Sequence, residues 1–161
     1  MTTMTNPTVK HHRLYLLGII LIAAALRLSY LTAIPNGFST DEAAIGYDAY
    51  SLLETGRDQY GELFPMFTRA FADYDEALYR YLTIPFILLF GLTEFAIRLP
   101  AAITGILTIW VLYCLTKTLL NPRLALLAAL FLAISPWHVI HSRWAVRAIL
   151  LPLFFCLGLF Y

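Results

Sequence analysis

Charged residues are scarce in this sequence, and acidic residues are absent from most of it. Charged side chains make up 13% of the 161 residues and hydrophobic side chains 60%, and the mean hydropathy is +0.73. A soluble domain has about a quarter of its residues charged and about half apolar. The composition therefore argues against a soluble domain and indicates a membrane protein.

Lysine and cysteine are also rare. The two lysines, Lys10 and Lys117, are far apart, and no basic cluster indicates a nucleic-acid partner. The two cysteines, Cys114 and Cys156, both lie within apolar runs, where cysteine commonly acts as a small hydrophobic residue. The sequence therefore predicts neither a disulfide nor a cysteine-bound metal.

The hydrophobic runs predict an all-α polytopic membrane fold with about four transmembrane helices. All ten acidic residues fall between Asp41 and Glu94, so one polar segment interrupts the apolar runs. At about 1.5 Å rise per residue, the fourteen residues of the last run reach only about 21 Å, less than the roughly 30 Å hydrocarbon core. We therefore expect the chain to be the first part of a longer protein, and residues 1–161 alone to be inactive. The predicted segments are a first transmembrane helix over 13–34, a loop over 35–93, and further transmembrane helices over 94–120, 124–140 and 148–161. The third of these helices is broken at Ser135-Pro136, and the last is incomplete.

The alternative to a first transmembrane helix is a cleaved signal peptide. A signal peptide fits the basic start at Lys10 to Arg13, but the apolar run resumes after Arg27 and lacks a small-residue cleavage pattern.

The distribution of basic residues predicts the orientation in the membrane. The segments at the N-terminus and at 117–123 are short, basic and free of acids, so they are expected to face the cytoplasm. We therefore predict a multi-pass protein of the cytoplasmic membrane, with the loop 35–93 facing outside.

The acidic loop begins with a predicted short helix. Ser39-x-x-Glu42 is a capping-box pattern, and Gly56 is a plausible helix end. Asp41 and Glu42 therefore have a structural reading, as capping and dipole-stabilising residues, beside a catalytic one. A second helix, with an acidic start and tyrosines that include Tyr79, is predicted at the outer interface, either as a support or as the wall of a substrate groove.

Several cations accompany the acids at the predicted outer face. Arg98, Arg143 and Arg147 lie near the ends of the second to fourth runs, where ionisable groups are functional candidates and snorkelling is the alternative. Arg27, within the first run, has the same two readings. His138 and His141 are three residues apart, but no further metal ligand is identifiable, so a hydrogen-bonded interfacial pair is the favoured reading.

Three stretches together resemble a known family. They are "STDEAAIGYDAYSLLETGRDQYGELFPMF", "LTIPFILLFGLTEFAIRLPAAITG" and "SPWHVIHSRWAVRAILLPLF". They are similar to the start of bacterial membrane glycosyltransferases of family 39, which have the GT-C fold and are related to protein O-mannosyltransferases and to the aminoarabinose transferase of lipid A. The paired acids after the first helix and the "EF-x-x-RLP" that enters the second carry most of the resemblance.

The resemblance implies transfer of a sugar from a polyprenyl-phosphate donor to an extracytoplasmic hydroxyl acceptor in the cell envelope, with inversion. The resemblance also implies that Asp41 is the general base and that Glu42 is an acid that supports it or positions the acceptor. Arg98, Arg143 and Arg147, with Tyr79, are expected to bind substrate, the arginines through phosphate oxygens. The expected partners are the lipid donor, membrane lipid and an unidentified hydroxyl acceptor, and no nucleic acid.

Two departures from the family pattern limit what is carried over. Many relatives have Lys-Pro-Pro-Leu-Tyr where this chain has Asp75-Glu76-Ala77-Leu78-Tyr79, and some have an Asp where this chain has Ala148. No cofactor is therefore predicted, and a divalent metal is left open without being indicated. The alternative function is that of a non-enzymatic membrane scaffold or a transporter fragment, although no internal repeat of the kind common in transporters is visible.

Overall fold

The computed structural model describes residues 7–70 and 73–161. Within these ranges the chain forms seven α-helices and one two-stranded hairpin, and a short 3-10 turn, Arg147–Ile149, precedes the last helix. The elements in chain order are α1 (Pro7–Leu28), α2 (Thr40–Thr55), β1 (Phe67–Ala70), β2 (Asp73–Glu76), α3 (Leu78–Phe90), α4 (Glu94–Leu119), α5 (Pro122–Ile134), α6 (Pro136–His141) and α7 (Leu150–Phe160).

Two of the described helices are long and apolar enough to cross a membrane. These are the part of α1 from His11 to Leu28 and the whole of α4, and three shorter apolar helices lie over Leu78–Phe90, Pro122–Ile134 and Arg147–Phe160. The predicted all-α polytopic fold is confirmed. The first helix, α1, ends at Leu28, whereas the first segment was expected to reach Ile34. In the third run, α5 ends at Ile134 and α6 begins at Pro136, at the break expected there.

The long helix α4 is the central element, since α1, α3, α5 and α7 all pack against it. Small residues permit the close approach of helices in a membrane. One buried cluster joins α1, α4 and α5 through alanines and a few larger side chains: Ile19, Ala23, Ile109, Tyr113, Ala125, Ala129 and Ala133. The core of the molecule therefore consists of α4 and the helices around it.

The predicted capping box at the start of α2 is confirmed. The Glu42 amide donates to Ser39 Oγ at 3.2 Å, and the Ser39 amide donates to Glu42 Oε2 at 3.1 Å. At the other end, Gly56 has φ +68°, the left-handed conformation that favours glycine, and its amide donates to Leu52 O. Local sequence therefore sets both ends of the helix that carries the acidic pair.

The hairpin of β1 and β2 was not predicted. The interpretation of the acidic stretch as the start of a helix was wrong, because Asp73–Glu76 pairs antiparallel with Phe67–Ala70, and the helix begins only at Leu78. This pairing brings Asp75 opposite Thr68. The consequence for the site is that Asp75 and Glu76 are presented by a strand directly before α3.

Candidate active site

The two acids of the opening pair have different surroundings. Glu42 is fully buried, whereas Asp41 is exposed and its carboxylate makes no hydrogen bond or ion pair to any other described residue. Successive helix residues are about 100° apart around the axis, so neighbours in sequence face different directions. The first turn of α2 therefore directs one carboxylate into the protein and the other to its surface.

Glu42 is bound by groups from three parts of the chain. Arg98 donates to it twice, from Nε to Oε1 at 2.7 Å and from Nη2 to Oε2 at 3.0 Å. The Ala145 amide donates to Oε1 at 3.2 Å, and the Ser39 amide to Oε2. Burial alone would raise the pKa of Glu42, but the hydrogen bonds from Arg98, Ser39 and Ala145 outweigh it and lower the pKa. Glu42 therefore remains ionised and joins α2, α4 and the segment before α7.

Arg98 also organises the chain between α1 and α2. Its Nη1 donates to the carbonyls of Leu31, Thr32 and Pro35 at 3.2–3.4 Å, and its Nη2 donates to Gly37 O at 2.6 Å. The side chain is fully buried, and all three of its nitrogens are engaged. In this structure Arg98 therefore binds protein acceptors, and no face of its guanidinium is open to a ligand.

Arg143 has a similar arrangement at the end of α1. Its guanidinium donates to the carbonyls of Leu26, Ser29 and Tyr30, and its Nε donates to Ile34 O at 3.1 Å. Leu26 lies in the last turn of α1, where carbonyls lack partners within the helix, and Ser29 and Tyr30 follow directly. Tyr30 O also accepts from the amides of Ala33 and Ile34. Arg143 therefore caps α1 and is largely withdrawn from solvent.

The exposed carboxylate of Asp41 lines a cavity of about 200 Å³. The wall comes from α2, β2, α3 and the segment that leads into α7, and it consists of Asp41, Ala44, Ile45, Asp75, Tyr79, Arg80, Val146, Arg147 and Ala148. The cavity is open on one side and contains both acidic and basic groups. Among the predicted site residues, the structure brings Asp41, Tyr79 and Arg147 together here.

Arg147 is the most exposed cation in this cavity. Its side chain is 42% exposed; it forms an ion pair with Asp75, and its Nε lies 3.4 Å from Glu76 Oε1. An exposed ion pair contributes little to stability. The Arg147 guanidinium is therefore accessible to an anion entering the cavity.

Arg80, which lines the cavity, belongs to a buried ion pair with Asp48. Arg80 Nε donates to Asp48 Oδ2 at 2.9 Å, and the Asp48 Oδ1 accepts from the Gln59 amide at 3.1 Å. Arg80 Nη2 also lies 3.9 Å from Asp75 Oδ2. Burial raises the pKa of Asp48, more than the Gln59 amide and Arg80 lower it. Alternating charges thus run from Asp48 through Arg80 and Asp75 to Arg147.

Tyr79 lines the cavity but is fully buried, and its hydroxyl donates to Ile97 O at 3.0 Å. Burial raises the pKa of Tyr79 far above its ordinary value, so the hydroxyl stays neutral. The hydroxyl thus forms a hydrogen bond to the backbone of α4. The Tyr79 hydroxyl is therefore not available to a ligand in the cavity.

The remaining candidates of the sequence analysis lie away from this cavity. Arg27 is fully buried and donates to Ala133 O and Leu132 O at the end of α5, and its Nη2 lies 2.9 Å from His138 Nδ1. The Nδ1 of His141 lies 2.9 Å from Trp137 O. Among the described residues, no group of three or more histidines, cysteines and acids is arranged to hold a metal ion.

Two cavity residues were missed as site candidates. Asp75 and Arg80 come from β2 and α3, and in the sequence Asp75 stands out only as a departure from the family pattern. A signal was present in the run Asp73-Tyr74-Asp75-Glu76, because three acids next to an arginine at position 80 suggest ion pairing. Their meeting with Arg147, however, depends on a hairpin that the sequence did not reveal.

The arrangement supports acid–base chemistry on a ligand that carries an anion. Asp41 is an exposed carboxylate without a partner among the described residues, and a carboxylate of this kind can accept a proton. Arg147 supplies a cation on the same cavity wall. Glu42, Arg98 and Arg143 fix the chain segments on which these two side chains stand.

Comparison with known proteins assigns the chain. No curated protein and no solved structure matches it significantly. The family model for dolichyl-phosphate-mannose-protein mannosyltransferases matches residues 77–161, which is more than half of the sequence and includes α3 to α7. These residues supply Tyr79, Arg80 and Arg147 to the cavity. The chain therefore belongs to the dolichyl-phosphate-mannose-protein mannosyltransferase family and is a membrane glycosyltransferase of the GT-C type.

Proposed function

We propose that this protein transfers a sugar from a polyprenyl-phosphate donor to a hydroxyl acceptor in the cavity lined by Asp41 and Arg147. The observation that carries the proposal is the presence on one cavity wall of an exposed carboxylate and an exposed guanidinium. The attacking alcohol needs a base, and the departing phosphate needs a cation. A scaffold protein has no need of such a pair, and family membership also favours an enzyme.

A second cavity supports a lipid-linked donor. It measures about 340 Å³, shares Arg147 and Ala148 with the first, and extends along the start of α7 between Leu78, Leu150, Leu151 and Phe154. Leu151 is 71% exposed. An apolar surface of this kind suits a prenyl chain, and it would place the phosphate of the donor next to Arg147.

The proposed reaction is a single displacement. The acceptor hydroxyl loses its proton to Asp41 as its oxygen attacks the anomeric carbon of the donor. The bond between that carbon and the phosphate oxygen breaks, and the polyprenyl phosphate leaves with the bonding electrons. Arg147 stabilises the negative charge that develops on the phosphate. Attack on the face opposite the leaving group inverts the anomeric configuration.

We assign positioning roles to the buried site residues. Glu42 and Arg98 fix the first turn of α2 against α4, so that Asp41 keeps its direction. Through the Ala145 amide, Glu42 also fixes the segment that carries Arg147. Arg143 attaches this segment to the end of α1, and the Tyr79 hydroxyl attaches α3 to α4. The substrate-binding role predicted for Arg98 and Arg143 would require the loop carbonyls to release them.

The cavity is proposed to face outside the cytoplasmic membrane. The support is the sequence pattern of short, acid-free basic segments at the N-terminus and around Lys117 and Arg123. A cysteine placed at the exposed Gln59, after replacement of Cys114 and Cys156, tests the orientation. An impermeant thiol reagent should label it in intact cells, and labelling only after permeabilisation contradicts the proposed topology.

The test of the function is a transfer assay with the full-length protein in membranes. A panel of polyprenyl-phosphate sugars, each labelled in the sugar, is offered with envelope extracts as a source of acceptors. We expect release of the polyprenyl phosphate together with transfer of label for at least one donor, and inversion at the anomeric carbon of the product. Activity with nucleotide sugars, and none with lipid-linked ones, would contradict the proposal.

A further inference from the structure

A cleft between α1 and α5 is not used by the proposed reaction. It measures about 660 Å³, within the range of about 300–1,000 Å³ that is usual for small-molecule sites. Its lining is apolar along most of its length, with a basic and polar group at one end: His12, Leu14, Tyr15, Gly18, Ile19, Ile22, Arg123, Leu126, Leu127 and Leu130.

Arg123, at one end of the cleft, has no acidic partner among the described residues. Arg123 is exposed, and the ten acidic residues of the chain all lie between Asp41 and Glu94, so neither α1 nor α5 carries an acid. No ion pair to the Arg123 guanidinium is present among the described residues. His12 and Tyr15 line the same end of the cleft. Within residues 7–70 and 73–161, the Arg123 guanidinium is therefore free to pair with an anionic ligand.

The cleft has a charged end and an apolar length, which match the headgroup and the acyl chain of an anionic lipid. A cation stands at the entrance, and the apolar side chains of Ile19, Ile22 and Leu130 lie further along it. Gly18 keeps the floor open, since a Cβ built there meets no atom within 4 Å. A headgroup phosphate can pair with Arg123 while an acyl chain lies over Gly18 and between the leucines.

We propose that this cleft binds one anionic phospholipid, with its phosphate at Arg123 and one acyl chain between α1 and α5. The site is separate from the reaction cavity and does not depend on the proposed reaction. The charge of Arg123 is expected to favour anionic headgroups. The apolar part of the cleft binds the acyl chain, and its contribution to affinity is the same for every headgroup. These two contributions can be removed independently by changes at Arg123 and Gly18.

The test uses the purified full-length protein in detergent, with bound lipid measured by native mass spectrometry. The probes are phosphatidylglycerol and phosphatidylcholine with identical acyl chains. We expect phosphatidylglycerol to be retained preferentially, and Arg123→Gln to weaken its binding by about tenfold and to remove the preference. Gly18→Leu should fill the channel and lower the retention of both lipids. Gly158→Leu is the matched control, because a Cβ at Gly158 also meets no atom within 4 Å.

Three results would overturn the proposal. The first is equal retention of the two lipids by the unaltered protein, and the second is unchanged retention in Gly18→Leu. The third is a dimer that is lost in Gly18→Leu, because the occupant would then be a second copy of the chain. The comparison of headgroups uses the unaltered protein, so the proposal remains testable even where Gly18→Leu fails to fold.

Discussion

Arg98 of α4 and Glu42 of α2 form a fully buried, bidentate ion pair, with nitrogen–oxygen distances of 2.7 and 3.0 Å. The pair explains why two carboxylates stand next to each other at the start of α2. Glu42 binds Arg98 and so fixes α2 to the membrane-spanning helix α4. The other, Asp41, is thereby directed to the cavity.

Replacing Arg98 by lysine should destabilise the protein even though the charge is retained. A single ammonium cannot reproduce both bonds to Glu42 together with the four bonds to the loop carbonyls over 31–37. We expect a loss of about 1–3 kcal/mol in the free energy of unfolding, and a loss of transfer activity. Thermal unfolding in detergent measures the first. Arg57→Lys is the control, since Arg57 is exposed and its side chain bonds only Gly61 O. Equal stability of the two variants would show that Arg98 does not organise this region.

The ion pair also predicts a pH dependence. The folded state lowers the pKa of Glu42 below its ordinary value of 4.5, so the unfolded chain takes up the proton first as the pH falls. The stability that Glu42 contributes is therefore complete above about pH 4.5 and is lost as the pH falls through the lower folded-state pKa. Asp48, whose pKa is raised mainly by burial, contributes in the opposite direction.

Glu42→Gln isolates this contribution, because glutamine also completes a capping box. We expect the unaltered protein to be clearly more stable than the variant near pH 7, and the difference to shrink below pH 4.5. Thermal unfolding between pH 3.5 and pH 7 measures it. A difference that stays constant with pH would mean that the charge of Glu42 does not stabilise the fold.

Gly105 is predicted to be required for the packing of α4 against the segment that carries Arg143. A Cβ at this position would lie 2.5 Å from the Cβ of Ser142 and 3.2 Å from Arg27 Nε. We expect Gly105→Ala to destabilise the protein by about 1–3 kcal/mol, as overpacking does. Gly158→Ala, in open space on α7, should instead be neutral or slightly stabilising. Thermal unfolding of the two variants decides the matter, and the same small effect in both would contradict the close contact.

Arg147→Gln should impair use of the donor without affecting the fold. The side chain is 42% exposed and its ion pairs with Asp75 and Glu76 are on the surface, so little stability is at stake. Loss of a charged contact to phosphate should raise KM for the lipid donor by about tenfold and lower kcat. Arg69→Gln serves for comparison, because Arg69 is exposed on the same hairpin and does not line the cavity. Unchanged kinetics in Arg147→Gln would assign the donor phosphate to another residue.

Part of the fold could be predicted because its signals are local. Hydrophobic runs predicted the all-α polytopic fold, and Ser39, Glu42 and Gly56 marked both ends of α2. The division of the third run at Ser135 was visible in the sequence, since Pro136 cannot continue a helix through its own amide.

The rest depends on contacts between distant parts of the chain. The hairpin pairs Thr68 with Asp75, and the sequence contains no strong hairpin dipeptide between the two strands. The burial of Arg98 could not be predicted either, because its partners at 31–42 are far away in sequence. Arginines near membrane ends suggested phosphate contacts, whereas in this structure Arg98 and Arg143 satisfy the backbone carbonyls between α1 and α2.

Sugar transfer by Asp41→Asn in the full-length protein tests the central claim most directly. The carboxylate makes no bond to another described residue, and asparagine is nearly the same size, so donor binding should be unaltered. The free energy of unfolding should fall by no more than about 1 kcal/mol, the size of a lost interaction with the helix dipole. The amide cannot take the proton of the acceptor, so the rate should fall by about 10²–10⁴-fold. Glu54→Gln, an exposed acid on the same helix, should retain full activity. A turnover in Asp41→Asn within about twofold of the unaltered protein would contradict the role of Asp41 as the base.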